Sequence, residues 1–209
     1  MSIDAFDVDL GGKSDAYQVL DLPRDPATVF KFATYDIDHI ACEMENSPNG
    51  SLVAVNRMLL VQYFSAIEAY LSDTLIRLVL DEPKAMSALM RGNKEWVSER
   101  IGIVELASNP DAFRDWVHTR LRELMYHNFS KIDHYYRGAI GASIFPDETT
   151  KATLMKFGPI RHDCVHRYGR SQDGGEHRIS KDSLNSLGGA LEAMVLHIEA
   201  SIANWRAQA

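Results

Sequence analysis

Residues 52–80, LVAVNRMLLVQYFSAIEAYLSDTLIRLVL, are the stretch on which the fold turns. Val55, Leu59, Phe64, Ile67, Leu71, Leu75 and Leu78 step at three, four or five residues, the spacing of a helix rather than a strand. Between Met58 and Phe64 the segment is apolar almost all round, which implies a central helix buried on every side. At 1.5 Å per residue it runs about 43 Å. A helix of that length and character needs other helices to cover it.

Outward from this stretch, the punctuation supplies those helices. Asp81-Glu82-Pro83 ends the long helix, and Lys84 to Arg91 reads as a short one stopped at Gly92. Glu95 to Ala107 reads as another. Asn109-Pro110-Asp111 is a start signal, a capping residue followed by a first-turn proline. The helix after it carries Phe113, Val117, Leu121 and Leu124 and is expected to run to about Ala139, with a kink at Asn128. Gly141 to Pro146 is a loop. Asp147 caps a helix ending near Phe157, after which Gly158 stops and Pro159 restarts the chain into a short helix closed by Gly169. Gln172 to Gly175 is a turn, and Glu176 to Ile179 a short extended piece. Ser180 caps a last helix striped by Leu184, Leu187, Leu191, Met194, Ile198, Ile202 and Trp205. Its Gly188-Gly189 pair is explained most simply by close approach of a neighbour.

On the N-terminal side the pattern is weaker. Residues 1–50 are expected to form an irregular arm, with Tyr17 to Leu20 a candidate strand and Thr28 to Glu45 ambiguous between strand and helix. Ser47-Pro48-Asn49-Gly50 is a clear break. The expected architecture is thus an all-α bundle over residues 51–209, preceded by that arm.

Bulk composition narrows the function classes. The chain has 209 residues, 45% hydrophobic and 24% charged, ordinary values for one domain with a full core. Two cysteines, Cys42 and Cys164, make no disulfide framework and suit a reducing compartment. The start, MSIDAFDVDLGG, is acidic where a signal peptide is basic. No window approaches the roughly 18 apolar residues of a membrane span. A cytoplasmic protein is expected. A net charge of −7 argues against wrapping long nucleic acid without specificity, which rests on many phosphate contacts. Locally the balance reverses: Arg161 to Lys181 holds five basic and three acidic residues, with three histidines.

That reversal centres on Gly158-Pro-Ile-Arg161-His162-Asp163-Cys164-Val-His166-Arg167-Tyr168-Gly169-Arg170. Arg161 and His166, five residues apart on a helix, lie about 140° apart in azimuth, yet a long arginine side chain can swing toward the ring. A histidine moves a proton near neutrality and a fixed guanidinium braces an oxyanion. Asp163 is placed to reach the His166 ring and set its tautomer. Arg167 and Arg170 suit RNA phosphates or simply a solvated face. The bland alternative makes Arg161 and Asp163 a surface pair and His166 a partly buried polar residue. A metal reading takes His162 and His166, at i and i+4, with Cys164 and Asp163 beside them. It lacks a second pair, since His127 and His134 lie seven residues apart among apolar positions. No metal and no cofactor are expected. Cys164 is more simply a packed side chain than a nucleophile, and Glu68 a paired structural carboxylate.

Arg161-His-Asp-Cys-Val-His166, followed by Arg167-Tyr168-Gly169, resembles the Arg-x4-His signature of the HEPN superfamily. Ser65 to Ser72, SAIEAYLS, resembles the core helix carrying Glu-x-Tyr-Leu in the same families. The specific match covers about 20 residues. His162 stands where Asn or Asp is usual, and Tyr168 where Asn often precedes the glycine. The resemblance implies a HEPN-like bundle and a metal-independent endoribonuclease, of the toxin, abortive-infection or RiboL-PSP-HEPN kind. It assigns Arg161 and His166 as catalytic, with His162 and Asp163 in support. It further implies RNA as substrate, a homodimer with a composite site, and an antitoxin or defence-system partner. The alternative it leaves is a non-catalytic HEPN-like module that binds nucleotide or RNA, or only dimerises.

Overall fold

The computed structural model describes residues 25–45, 52–93, 96, 98 and 102–208. Among them stand eight helices and no strand, an all-α bundle. They are α1 (Pro26–Glu45), α2 (Leu52–Asp81), α3 (Pro83–Gly92), α4 (Ile103–Ser108), α5 (Ala112–Arg122), α6 (Phe129–Ile140), α7 (Glu148–His166) and α8 (Lys181–Gln208).

Helix α2 is the axis. It packs against α1, α3, α5, α7 and α8, so almost every turn meets a different neighbour and an all-round apolar surface is what the position demands. Leu60, Phe64, Ile67, Leu71 and Leu75 are completely buried. Each such side chain contributes roughly 1.5–3 kcal/mol relative to exposure. Leu187, Leu191 and Met194 of α8 and Leu154 of α7 close the core from the other side.

Besides the helix expected over Glu95 to Ala107, which is interrupted at Gly102 before α4 begins at Ile103, three segments differ from the sequence expectation. The irregular arm expected over residues 1–50 is corrected for Pro26–Glu45, which is helix α1. Asp25 caps it, its carboxylate accepting from Thr28 N at 2.9 Å, and Phe30 and Ile37 are buried in the core. Of its three aromatic residues, Phe30 points into the core while Phe32 and Tyr35 stay exposed, a split that local spacing does not separate from a strand's. The candidate strand Tyr17–Leu20 lies outside the described residues. The single helix expected from Asn109 to Ala139 is two, α5 and α6. Asn128 is an N-cap, its side chain accepting from Lys131 N at 3.1 Å, not a kink.

The third difference concerns the motif. Gly158-Pro159 does not restart the chain, and α7 runs unbroken from Glu148 to His166 with Pro159 inside it. Proline in a helix interior costs about 3 kcal/mol, having no N–H to give the carbonyl four residues back. Leu154, Phe157 and Asp163, on both sides of Pro159, are all buried, so packing of one continuous helix against α2 and α8 outweighs that loss. The expected cap at its start holds: Asp147 accepts from Thr150 N at 2.7 Å.

Gly188 and Gly189 separate into different roles. A Cβ on Gly188 would stand 2.9 Å from the Tyr63 hydroxyl, whereas one on Gly189 would meet nothing within 4 Å. Tyr63 donates to Asp38 of α1. Burial, then that bond, pushes its phenol pKa up, so it stays a donor at any ordinary pH.

Candidate functional site

The motif occupies the last turns of α7 and the turn that follows. Arg161 faces inward, toward α2. Its Nη2 donates to Glu68 Oε1 at 2.9 Å, joining the two stretches the sequence singled out, 93 residues apart. Both side chains are largely buried, 18% and 25% exposed. The Arg161 Nε is buried without a partner among the described residues. Glu68 is therefore paired, as its place in an apolar helix suggested, and its other oxygen, Oε2, lies 3.4 Å from His127 Nδ1.

His166 sits at the opposite extreme of exposure. It is solvent-facing in the last helical turn, its ring 4.7 Å from that of His162 and tilted by 50°. The i, i+4 spacing that puts both imidazoles on one face accounts for that contact. Among the described residues no hydrogen bond or ring contact joins Arg161 to His166. The geometry follows the 140° azimuth: one side chain turns to the core and the other to solvent. Nor does any third His, Cys, Asp or Glu join the two histidines in a metal-sized group among those residues.

Asp163 does not orient His166, which corrects the expected supporting role. It is buried, accepting from His177 Nε2 at 2.8 Å, with Arg167 Nε 3.8 Å away. Its backbone carbonyl also accepts from Arg167 N and Gly169 N, both at 2.9 Å. Asp163 thus ties the end of α7 to the hairpin-like turn that runs back through an isolated bridge between Arg170 and Glu176. A buried carboxylate turns to the donors the fold brings it, and here those come from residue 177, not from its own helix.

The turn itself carries strain. Tyr168 and Gly169 both take left-handed backbone, φ 56° and 79°, which for tyrosine costs roughly 1–2 kcal/mol. Arg57 of α2 holds it there. Its Nη1 donates to Tyr168 O at 2.7 Å, its guanidinium lies 5.2 Å from the Tyr168 ring centroid, and Nη2 pairs with Glu176 at 3.2 Å. Arg167 and Arg170 point to solvent beside this turn. Cys164 is half-buried, and burial pushes its thiol up, away from the thiolate a nucleophile needs. With Met58, Val61, Val165 and Tyr168 it lines an apolar recess of about 350 Å3.

His127, which the sequence offered only as a possible metal partner of His134, stands 3.4 Å from Glu68. It lies on the short link between α5 and α6, where spacing relates it to nothing in the motif, and only the tertiary fold sets it beside Glu68. Among known proteins, neither family models, curated proteins nor solved structures gave a match to this chain.

Proposed function

We propose that the protein is a metal-independent endoribonuclease of the HEPN kind, with Arg161 and His166 as its catalytic pair. The observation that carries this is the setting of Arg161: a guanidinium fixed on α7 by Glu68, within the same last turns of the helix as an exposed imidazole pair that faces away from it. Cleavage of RNA by its own 2′-OH needs a fixed positive charge for the phosphorane oxygens and a group that transfers a proton near neutrality. Arg161 supplies the first and His166 the second. His162, tilted against His166 at 4.7 Å, positions that ring, and Arg167 and Arg170 contact flanking phosphates. The role that follows is that of a toxin or phage-defence effector, held in check by a partner protein.

A homodimer belongs to this proposal. Arg161 and His166 point apart within one chain, and a second copy brings another pair to the same place. The exposed apolar Met58, Val165 and Tyr168 beside the motif suit such a contact. The second reading is a non-catalytic module that binds nucleotide or RNA, favoured by the fact that Glu68 already matches the Arg161 charge.

Cleavage of RNA in EDTA decides between them. The expected result is 2′,3′-cyclic phosphate and 5′-hydroxyl ends, lost by about 10²–10⁴-fold in Arg161→Ala and His166→Ala. RNA that is bound but never cut supports the module instead, and full cleavage by either variant sinks the mechanism.

A further inference from the structure

Attack by a 2′-OH on the adjacent phosphorus moves two protons, not one. A base removes the 2′-OH proton as the O2′–P bond forms, and an acid protonates O5′ as the P–O5′ bond breaks. The two oxygens stand roughly in line on opposite sides of phosphorus, so one imidazole cannot serve both in a single step. Within one chain His166 therefore leaves one role unfilled.

The fold holds a candidate for it. His127 Nδ1 faces Glu68 Oε2 at 3.4 Å, and the other oxygen of the same carboxylate takes the Arg161 guanidinium at 2.9 Å. The first distance is long for a hydrogen bond, as such contacts often are before substrate tightens them. A carboxylate only accepts, so in the neutral ring it fixes the proton on Nδ1 and leaves the Nε2 lone pair as the available base. The same logic orients histidine in a Ser-His-Asp triad. The backbone on either side is pinned. Tyr126, buried, donates to Leu121 O at 2.8 Å, and Asn128 caps α6. His127 itself stays 39% exposed.

We propose that His127 is the general base that deprotonates the 2′-OH, positioned by Glu68, and that His166 is the acid that protonates the leaving O5′. This rests on the ribonuclease reading. Base, positioning carboxylate and phosphate-binding arginine then lie together in one chain, and only the acid stands apart. The step balances: the 2′-OH proton passes to His127 Nε2, His166 gives a proton to O5′, and water restores both rings.

The test uses two RNA substrates, one ordinary and one with sulfur replacing the bridging 5′-oxygen, whose thiolate leaves without a proton. On ordinary RNA, His127→Ala and His166→Ala are each expected to lose about 10²–10⁴-fold. On the 5′-thio substrate, His166→Ala recovers to near the wild-type rate while His127→Ala stays as impaired. Recovery of His127→Ala, wild-type cleavage of ordinary RNA by it, or no recovery of His166→Ala each overturns the assignment. His127→Gln, which keeps an amide donor toward Glu68, replaces the alanine variant if that one melts early. A wild-type protein that cuts neither substrate removes the ribonuclease reading itself, an outcome distinct from all of these.

Discussion

Arg161 and Asp163, two residues apart, show how burial decides what a charged side chain does. Each is withdrawn from solvent and matched by a partner from elsewhere in the chain, Glu68 for one and His177 for the other. Removing one member of such a pair costs more than the pair contributes, because the remaining charge is left desolvated. Glu68→Ala is therefore expected to lower stability by roughly 1–3 kcal/mol, read as a drop in urea midpoint at unchanged slope. Glu68→Gln, which still offers a carbonyl to Arg161, loses less. An alanine variant as stable as wild type would show that the Arg161–Glu68 pair does not hold α7 against α2. Asp163→Asn is expected to loosen the 167–177 turn, detected as faster amide exchange at Gly169 and His177. Protection unchanged at both would remove Asp163 as the tie. Sequence spacing suggested that Asp163 serves His166. A side chain on a helix has several neighbours within reach, and spacing cannot say which one the rest of the chain will outbid.

At the scale of elements, α8 and α2 meet where a missing side chain makes room. Gly188 lets the Tyr63 ring lie against the helix backbone, and Tyr63 in turn reaches Asp38 of α1. Gly188→Ala gains about 1 kcal/mol of helix propensity but overpacks a ring that is buried and anchored, at a typical cost of 1–3 kcal/mol. It is expected to lower Tm. Gly189→Ala keeps the same propensity gain with nothing to displace and is expected to raise Tm. Equal shifts for the two would show that Tyr63 yields freely. The pair was legible as a sign of close approach, since two glycines in a helix need a reason. Which of them makes the approach depends on the azimuth of a neighbour, and that is not in the sequence. The same holds for Pro159. Local rules make it a boundary, and the apolar residues on both sides, packed on one surface, make it an interior residue.

For the whole molecule the governing fact is the contrast between a net charge of −7 and the locally basic stretch from Arg161 to Lys181. Binding of uncleavable RNA is expected to weaken with salt at a shallow slope, roughly −2 in log–log terms for three phosphate contacts at about −0.7 each. Arg167→Ala and Arg170→Ala are each expected to reduce it by about 0.7. A slope unchanged in both variants would place the RNA elsewhere. Sedimentation at micromolar concentration tests the pairing of two copies. A monomer there, active at full rate, removes the composite site and leaves the chain to act alone. Among the described residues no helix is long and apolar enough to cross a membrane.

The sequence by itself determined the helical class, the central place of α2, the caps at Asp147 and Ser180, and the polar stretch worth attention. These follow from periodicity and from short-range hydrogen bonding, both of which act within a few residues. Only the tertiary structure decided that Arg161 meets Glu68, that Asp163 serves His177, that Pro159 is spanned by a helix, and that His127 lies beside the same carboxylate as Arg161. Those depend on which faces of distant helices come together as the core closes. Spacing along the chain constrains that only through the sum of all the burials at once.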